Sequence, residues 1–329
     1  MAHSPPARLK MTDVARLAGV SVATVSRALS GSPLVSQETR QRIEAAVAAT
    51  GYVVNQVAAG LRLQRSRQIL VMLPDIANPF FGEVVLGIEE EAQHHGFGVL
   101  IGNTGRSPDR ETALARQFQT GAVDGLVLLT GKRPALLADV PASRMVAVSE
   151  HIANDSIITV SIDNQAAALE AVGHLRGLGH RRIAHIGGPA DNILTAQRFR
   201  GYRDAQGDDF DQRLVRYGDY SIASGEAAMR EILKEADRPT SVFCSNDEMA
   251  IGAIRAARAF GIGVPSGLAV IGFDDIPFAG AYDPPLTTVR QPRRQMGRMA
   301  ARILLAALAG AEMPAPTALP HLLVVRQSS

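Results

Sequence analysis

From residue 69 onward, short apolar runs alternate with segments of helical periodicity, and this alternation limits the fold more than any other feature of the chain. The first run, ILVMLP, has no polar interruption, as in a strand buried on both faces of a sheet. Strands that alternate with helices form parallel sheets with right-handed crossovers. Further strands are predicted at 99–103, 123–130 and 145–150, and a second series near 159 and at 182–188, 214–219, 241–246 and 268–275. We therefore predict an α/β fold with two doubly wound subdomains.

The residues before this region have the pattern of three short helices. Thr12 has a side chain suited to cap the first helix, and Gly19 breaks the apolar spacing that follows. Ser21 can cap a second helix, and Ser36 can cap a third over 37–50. Two short helices joined by a glycine-containing turn form a helix-turn-helix.

This N-terminal segment is also the basic part of the chain. Residues 1–67 contain nine Lys or Arg side chains and three acidic ones, a net charge of +6, which leaves −4 for the rest of a chain whose net charge is +2. A basic segment attached to a mildly acidic body favours a polyanionic partner for the segment. The charge and the helix-turn-helix together predict a DNA-binding domain.

The second helix of such a motif enters the major groove of DNA. We expect Val22 and Ala23 to contact base edges or thymine methyl groups, and Arg27 to reach a guanine edge or a phosphate. The hydroxyl side chains suit phosphate contacts, which set the position on DNA without reading its sequence. These are Thr12, Ser21, Thr24 and Ser26. A three-helix bundle without a nucleic-acid ligand is the alternative.

Composition excludes several classes of protein. Cys244 is the only cysteine, so no intrachain disulfide can form, and we expect a reducing compartment. No apolar run approaches the roughly 18–20 residues that cross a bilayer. The first ten residues lack the apolar stretch of a signal peptide. We therefore expect a cytoplasmic protein without a membrane partner.

Polar and aromatic side chains follow the ends of the predicted strands, which is where open α/β sheets bind ligands. The candidates are Phe80, Phe81, Arg198, Tyr220, Asn246, Asp274 and Gln291. Together they suit a neutral polyhydroxylated ligand, with an aromatic ring stacked on a sugar face or a base. Most also have an ordinary structural alternative: a phenylalanine can fill a core, Arg198 can pair with a local acid, Asp274 can cap a loop, and Asn246 can form an Asx-turn.

Two other classes of protein would fit such a cleft, a sugar- or nucleoside-acting enzyme and a solute-binding protein of a transporter. Against the enzyme, the sequence has no GxSxG motif, no phosphate-binding P-loop and no zinc-ligand spacing, and its eight histidines include no i,i+4 pair. A solute-binding protein would need export, and the basic segment would have no role in it. We predict no catalytic residue, no metal site and no cofactor.

Several motifs of the chain resemble the lactose-repressor family of bacterial transcription regulators. The N-terminal signature of the family is matched by DVARLAGVSVATVSRALSG and VSQETRQRIEAAVAATGYVVN, and its core by PDIANPFFGEVVLGIEEEA, GHRRIAHIGGP, VFCSNDEMAIGAIRAA and DPPLTTVRQP. The resemblance covers about residues 10–327 and is greatest to members that respond to cytidine. It implies a helix-turn-helix DNA-binding domain followed by a periplasmic-binding-protein-like core of two doubly wound α/β subdomains.

The resemblance also implies a division of the chain. Residues 1–10 would be a flexible N-terminus, 11–54 the helix-turn-helix domain, 55–67 a hinge helix and linker, and 68–329 the effector-binding and dimerisation core. Within the core, the N-subdomain would take about 68–161 and 292–320, and the C-subdomain about 162–291 and 321–329. In the hinge, Asn55, Ala58 and Leu61 would contact DNA, with Leu61 wedged into the minor groove.

The function implied by the resemblance is that of a repressor of a catabolic or uptake operon. A homodimer would bind a palindromic operator in double-stranded DNA. A small-molecule effector in the core cleft, a nucleoside such as cytidine or else a sugar or sugar acid, would shift the cleft between conformations and so change the affinity for DNA. We favour an inducer, which releases the operator, over a corepressor.

Overall fold

A computed structural model of the protein describes residues 10–29, 32–52, 65–152, 156–312 and 318–329. The chain divides into two compact units, residues 1–66 and residues 67–329. The predicted DNA contacts Asn55, Ala58 and Leu61, and the N-terminal residues 1–9, lie outside the described residues. Within the described part of the chain, no helix has the length and apolar character needed to cross a membrane.

The first unit contains the three predicted helices: α1 (Met11–Ala18), α2 (Val22–Leu29) and α3 (Gln37–Thr50). Val14, Val25 and Ile43, one from each helix, are completely buried and pack in one core. The turn between α1 and α2 passes through Gly19, whose φ of 67° is in the left-handed region that favours glycine. The predicted helix-turn-helix is therefore confirmed.

One detail of the first helix differs from the sequence prediction. Thr12 does not cap α1, since Lys10 is the N-cap residue and Thr12 lies exposed in the first turn. The backbone N–H of Lys10 donates to the Asp13 carboxylate at 2.9 Å, so an acidic side chain satisfies the helix start. The expected cap of α2 is present, because the Ser21 hydroxyl accepts from the Thr24 N–H at 3.1 Å.

The second unit begins with a five-stranded parallel sheet in the order β2-β1-β3-β4-β5. Its elements are β1 (Gln68–Leu73), α4 (Pro79–His94), β2 (Gly98–Asn103), α5 (Pro108–Gln119), β3 (Gly125–Leu128), β4 (Met145–Val148) and β5 (Ile158–Val160). Five of the six β1 residues are buried, as the uninterrupted apolar run predicts. We call this part of the molecule the N-lobe.

All the remaining elements except α11 build the C-lobe, whose six-stranded sheet has the order β11-β10-β9-β8-β6-β7. In chain order, the elements after β5 are α6 (Asn164–Gly177), β6 (Ile183–Gly187), α7 (Ile193–Gln206), β7 (Val215–Tyr217), α8 (Ile222–Ile232), β8 (Ser241–Cys244), α9 (Asp247–Ala259), β9 (Ala269–Asp274), α10 (Pro277–Ala281), β10 (Thr287–Arg290), α11 (Arg293–Ala309) and β11 (Leu322–Val324). Strand β11 pairs antiparallel with β10, an exception to the predicted parallel order. It is an edge strand, where mixed sheets commonly accept antiparallel pairing.

Helix α11 belongs to the N-lobe, although it follows the C-lobe strand β10. It packs against α4, and glycines let the two helices approach closely. A Cβ atom at Gly87 would lie 2.1 Å from the carbonyl oxygen of Arg294, and one at Gly297 would lie 2.0 Å from that of Val84. The chain therefore crosses between the lobes after β5, after β10 and before β11. The predicted architecture of two doubly wound subdomains is confirmed.

Candidate functional site

Helix α2 presents one face to the core of the first unit and the other to solvent. Val25 and Ala28 are buried, whereas Val22, Ala23 and Arg27 are exposed. Of the expected phosphate contacts, Thr12 and Ser21 are exposed, and Thr24 and Ser26 are half-buried. The residues expected to meet DNA thus share the outer side of α2 and the adjoining turn.

Two arginines of the basic segment have a structural role inside the first unit. Arg40 donates to the carbonyl oxygens of Ala28 and Ser32 at 3.0 and 2.9 Å. Arg42 donates to the carbonyl oxygen of Ala18. The Ala28 and Ala18 carbonyls lie at the ends of α2 and α1, where helix carbonyls lack intrahelical partners and a cation is favourable. The charge of the segment therefore overstates the number of cations available to phosphates.

A cavity of about 570 Å³ lies between the two lobes of the second unit. Its lining includes all seven residues that the strand-end pattern predicts: Phe80, Phe81, Arg198, Tyr220, Asn246, Asp274 and Gln291. The volume is within the range of small-molecule pockets, roughly 300–1,000 Å³. These residues come from sequence positions more than 200 apart, and the fold brings them together.

Arg198 is the buried cation of this cleft, with only 3 % of its surface exposed. Its Nε donates to Asn164 Oδ1 at 3.0 Å, and its guanidinium also donates to the carbonyl oxygen of Ser245. The guanidinium lies over the Phe273 ring, 3.7 Å from the ring centroid. One of its nitrogens is 4.0 Å from Asp274 Oδ1. These contacts hold one face of the guanidinium rigid beside a carboxylate.

Asp274 ends β9 at the floor of the cleft. Gln291 Nε2 donates to Asp274 Oδ1 at 2.7 Å. The φ angle of Asp274 is 112°, an unusual value for a residue other than glycine. Burial raises the pKa of this carboxyl to about 6, although Arg198 and the Gln291 hydrogen bond act to lower it. A buried carboxylate with free acceptor capacity suits ligand hydroxyl groups.

The two phenylalanines at the start of α4 have different environments. Phe80 is 7 % exposed and belongs to the main core, so the structural alternative applies to it. Phe81 is half-buried and meets Phe80 edge to face, with ring centroids 5.3 Å apart. Phe81 is therefore the aromatic ring more available to a ligand.

Tyr220 and Asn246 are joined by a hydrogen bond. Asn246 Nδ2 donates to the backbone oxygen of Tyr220 at 2.9 Å, and its Oδ1 caps α9 by accepting from the Met249 N–H at 2.9 Å. The Tyr220 hydroxyl lies 3.0 Å from Thr195 Oγ1 and donates to Asn192 Oδ1 at 3.3 Å. Asn246 thus caps α9 and contacts the Tyr220 backbone, so both its amide oxygen and its amide nitrogen are engaged within the protein.

Two further cleft residues, Ser149 and Glu150, are not among the sequence candidates. The Ser149 hydroxyl is buried and has no hydrogen-bond partner among the described residues. Burial raises the pKa of the Glu150 carboxyl. Both directly follow β4, which ends at Val148, whereas the predicted strand extends to residue 150 and so places both residues inside the strand.

The cleft also contains direct contacts between the lobes. Arg106 Nη2, from the N-lobe, donates to the backbone oxygen of Asp219 in the C-lobe at 3.1 Å. Asn78 Nδ2 donates to Glu248 Oε2 at 3.1 Å. Neither pair was predicted. In the described ranges, no group of three or more acidic, histidine or cysteine side chains is placed to hold a metal ion.

Comparisons with known proteins agree for both units. Residues 10–55 match the model of bacterial regulatory proteins of the lacI family, and residues 172–329 match the periplasmic binding protein-like domain. The chain is 40 % identical over 307 residues to the HTH-type transcriptional repressor CytR of Escherichia coli K12, which is 91 % of this chain and 90 % of that protein.

Solved structures show the same architecture. The transcriptional regulator CelR in complex with cellobiose has a TM-score of 0.75 and 35 % identity, with 98 % of this chain and 100 % of that chain covered. The lac repressor dimer bound to operator and the anti-inducer ONPF has a TM-score of 0.84 and 28 % identity, with 97 % and 98 % covered.

Proposed function

Since the chain belongs to the lacI family of bacterial regulatory proteins, we propose that it binds a palindromic operator as a homodimer and that a small molecule in the cleft controls this binding. The chain is a transcription regulator and not an enzyme, because its curated relatives are transcription regulators. The further steps concern the DNA contacts, the effector and the direction of the response.

The DNA contacts are proposed on the exposed side of α2. Val22 and Ala23 would face bases, Arg27 a guanine or a phosphate, and the hydroxyl side chains around them phosphates. A helix-turn-helix reads a half-site, so a palindrome requires two copies of the chain. The related lac repressor is described as a dimer on its operator, which supports this arrangement.

The observation that carries the effector proposal is the convergence of all seven strand-end candidates on one cavity between the lobes. We favour a nucleoside such as cytidine. Asp274 and Arg198 would bind ribose hydroxyls, and Phe81 would stack on the base. A cavity of about 570 Å³ has room for two linked rings.

A sugar is the second candidate. It is favoured by the likeness to CelR, which is described in complex with cellobiose and is 35 % identical to this chain. Asp274, Arg198 and Phe81 would bind a sugar equally well. The choice between a nucleoside and a sugar would therefore depend on the residues at the opposite end of the cleft.

The proposed effect of the ligand on DNA binding depends on the position of Gln291. This residue lies between β10 and α11, where the chain crosses between the lobes. A ligand held by Asp274 and Gln291 would touch that crossover and would favour one lobe arrangement. If DNA binding also favours one lobe arrangement, the affinities for effector and DNA are reciprocally coupled, typically by about 1–3 kcal/mol. We propose that the effector acts as an inducer.

The experiment that tests the effector proposal is a thermal-unfolding screen of the full chain against cytidine, other nucleosides, free bases, ribose and cellobiose. A ligand at 100 times its Kd stabilises the protein by about 2.7 kcal/mol. We expect stabilisation by cytidine in the native chain and none in Asp274→Ala. Stabilisation by cellobiose alone would replace the nucleoside with a sugar, and no stabilisation by any compound would contradict the proposed effector classes.

A further inference from the structure

Glu150 brings a carboxylate into the cleft from the N-lobe side. It borders the same cavity as Arg198 and Asp274, which belong to the C-lobe. The proposed contacts place the sugar hydroxyls of a nucleoside on those two C-lobe residues and its base against Phe81 of the N-lobe. The edge of the base would therefore face side chains of the N-lobe, and Glu150 is one of these.

The backbone turns sharply between β4 and Glu150. The Glu150 N–H donates to the Val148 carbonyl oxygen at 2.8 Å, which closes a three-residue turn around Ser149, whose φ is 66°. A γ-turn with a positive φ at its centre is rare and strained. The Ser149 N–H donates to the Val160 carbonyl oxygen on β5 at 2.9 Å, so the sheet holds this turn. The position of Glu150 is thus set by the sheet.

A glycine in the neighbouring loop leaves space for the carboxylate. Gly131 follows β3, and a Cβ atom there would clash with Glu150 Oε2. The φ of Gly131 is 66°, in the left-handed region that favours glycine. Both residues border the cavity, so the carboxylate lies along its wall.

Asn192, the N-cap residue of α7 in the C-lobe, forms a side-chain hydrogen bond with Glu150. Asn192 Oδ1 accepts from the Leu194 and Thr195 N–H groups at 2.8 and 3.3 Å, so its amide nitrogen is the group that donates to the carboxylate. An ionised carboxylate has about four acceptor positions on its two oxygens. One amide donor therefore leaves acceptor capacity for a ligand.

The charges around Glu150 include three cations. Burial raises the pKa of its carboxyl, whereas the Asn192 hydrogen bond lowers it. Arg198, Arg106 and Lys132 also lower this pKa, through charge rather than through a hydrogen bond. An ionised carboxylate accepts hydrogen bonds and donates none. A ligand group that meets it must therefore be a hydrogen-bond donor.

We propose that Glu150 selects the effector by accepting a hydrogen bond from an exocyclic amino group of its base, and that it rejects a base with a carbonyl group at that position. This inference rests on the proposed function, in which a nucleoside occupies the cleft. The matched pair of ligands is cytidine, whose exocyclic group is an amino donor, and uridine, whose corresponding group is a carbonyl acceptor. Acidic side chains accept from the amino group of cytosine in the same way when proteins read DNA.

The expected selectivity follows from the cost of an unmade hydrogen bond in a buried site. Uridine would place its carbonyl oxygen against the Glu150 carboxylate, so that two acceptors meet and neither has a donor. A buried acceptor left without its partner corresponds to a loss of roughly 5- to 150-fold in affinity. We therefore expect uridine to bind more weakly than cytidine by a factor in this range.

The test is calorimetric titration of the full chain with cytidine and with uridine, in the absence of DNA. The titrations are made at pH 8, because a protonated carboxyl could donate to the uridine carbonyl. The measured quantity is the ratio of the two Kd values. It is compared between the native chain, Glu150→Gln and the control Glu89→Gln, which makes the same change at an exposed position on α4.

Glu150→Gln should reverse the preference. The orientation of the Asn192 amide is fixed by its two backbone contacts, so the introduced amide oxygen would accept from Asn192. The introduced amide nitrogen, a donor, would then face the ligand, where it suits the carbonyl of uridine and not the amino group of cytidine. Glu89→Gln should keep the native ratio.

Equal affinities for cytidine and uridine in the native chain would overturn the role of Glu150 and leave a nucleoside effector in place. A Glu150→Gln chain that keeps the native preference would also overturn it. If the native chain binds neither nucleoside, both this selection and the nucleoside effector are wrong. Circular dichroism verifies that the variants are folded, and the ratio in the native chain decides the matter if Glu150→Gln does not fold.

Discussion

Replacing Asp274 by asparagine should stabilise the protein even though the side chain belongs to the candidate effector site. The residue is only 6 % exposed, and burial raises the pKa of its carboxyl from 3.8 to about 6. In the unfolded chain the same group ionises at its ordinary pKa. The folded state therefore binds its proton more tightly, and stability decreases as the pH rises from about 4 to about 6 and stays low above that range.

The magnitude follows from these two pKa values. The penalty is about 1.6 kcal/mol at pH 5 and about 3 kcal/mol at pH 8. An asparagine has no charge to bury, and its Oδ1 can still accept from Gln291. Arg198 keeps its contacts with Asn164, Ser245 and Phe273 when the carboxylate is removed.

The assay is thermal unfolding of both chains at pH 5 and pH 8 without ligand. A gain of about 3 kcal/mol at pH 8 corresponds to roughly 6–12 °C in Tm for a unit of this size, with about half of that gain at pH 5. Asp208→Asn, at an exposed position on the C-lobe, is the matched control and should leave Tm within about a degree. A variant that is less stable than the native chain at pH 8, or whose gain does not depend on pH, would refute the reasoning.

Three other substitutions separate the proposed roles. Arg27→Ala should weaken operator binding and relax base preference by about 1–3 kcal/mol, measured by selection from random duplexes, whereas Arg16→Ala on α1 should not alter the selected sequence. Leu61→Ser should weaken specific DNA binding far more than nonspecific binding in a salt-matched anisotropy assay, and equal losses would exclude the minor-groove wedge. Phe80→Ala should lower the free energy of unfolding by about 3–5 kcal/mol, because it truncates a core side chain. Phe81→Ala should mainly weaken effector binding, by roughly tenfold in calorimetry. The reverse pattern would mean that the two rings have been assigned to the wrong roles.

The fold was predictable because its main signals are local. The apolar run at 69–74 marks a buried parallel strand, the later runs mark further strands, and the residues between them have helical spacing. The antiparallel pairing of β11 is not local, because it depends on where the chain returns after α11. The prediction that Thr12 caps α1 is wrong for a different reason. The Asp13 carboxylate, inside the helix, accepts from the backbone N–H of Lys10, so this helix begins without a cap from the Thr12 side chain.

The site was predictable to the extent that the topology places strand ends together. That rule brings Arg198, Asp274 and Gln291 to one cavity without any information on distance. It cannot say that Phe80 is buried in the core while Phe81 stays half-buried, since both follow the same strand. The Asn78–Glu248 contact depends on how two lobes meet, and residues 170 positions apart carry no local signal of that contact.

The central claim is that a ligand in the cleft changes the affinity of the protein for DNA. The most direct measurement is the Kd of the full chain for a palindromic duplex, obtained by selection, with and without saturating cytidine. The account predicts a 5- to 150-fold weaker Kd with cytidine, which corresponds to a coupling of about 1–3 kcal/mol, and no change in Asp274→Ala. Cytidine that binds the protein but leaves the Kd for DNA unchanged would contradict the account.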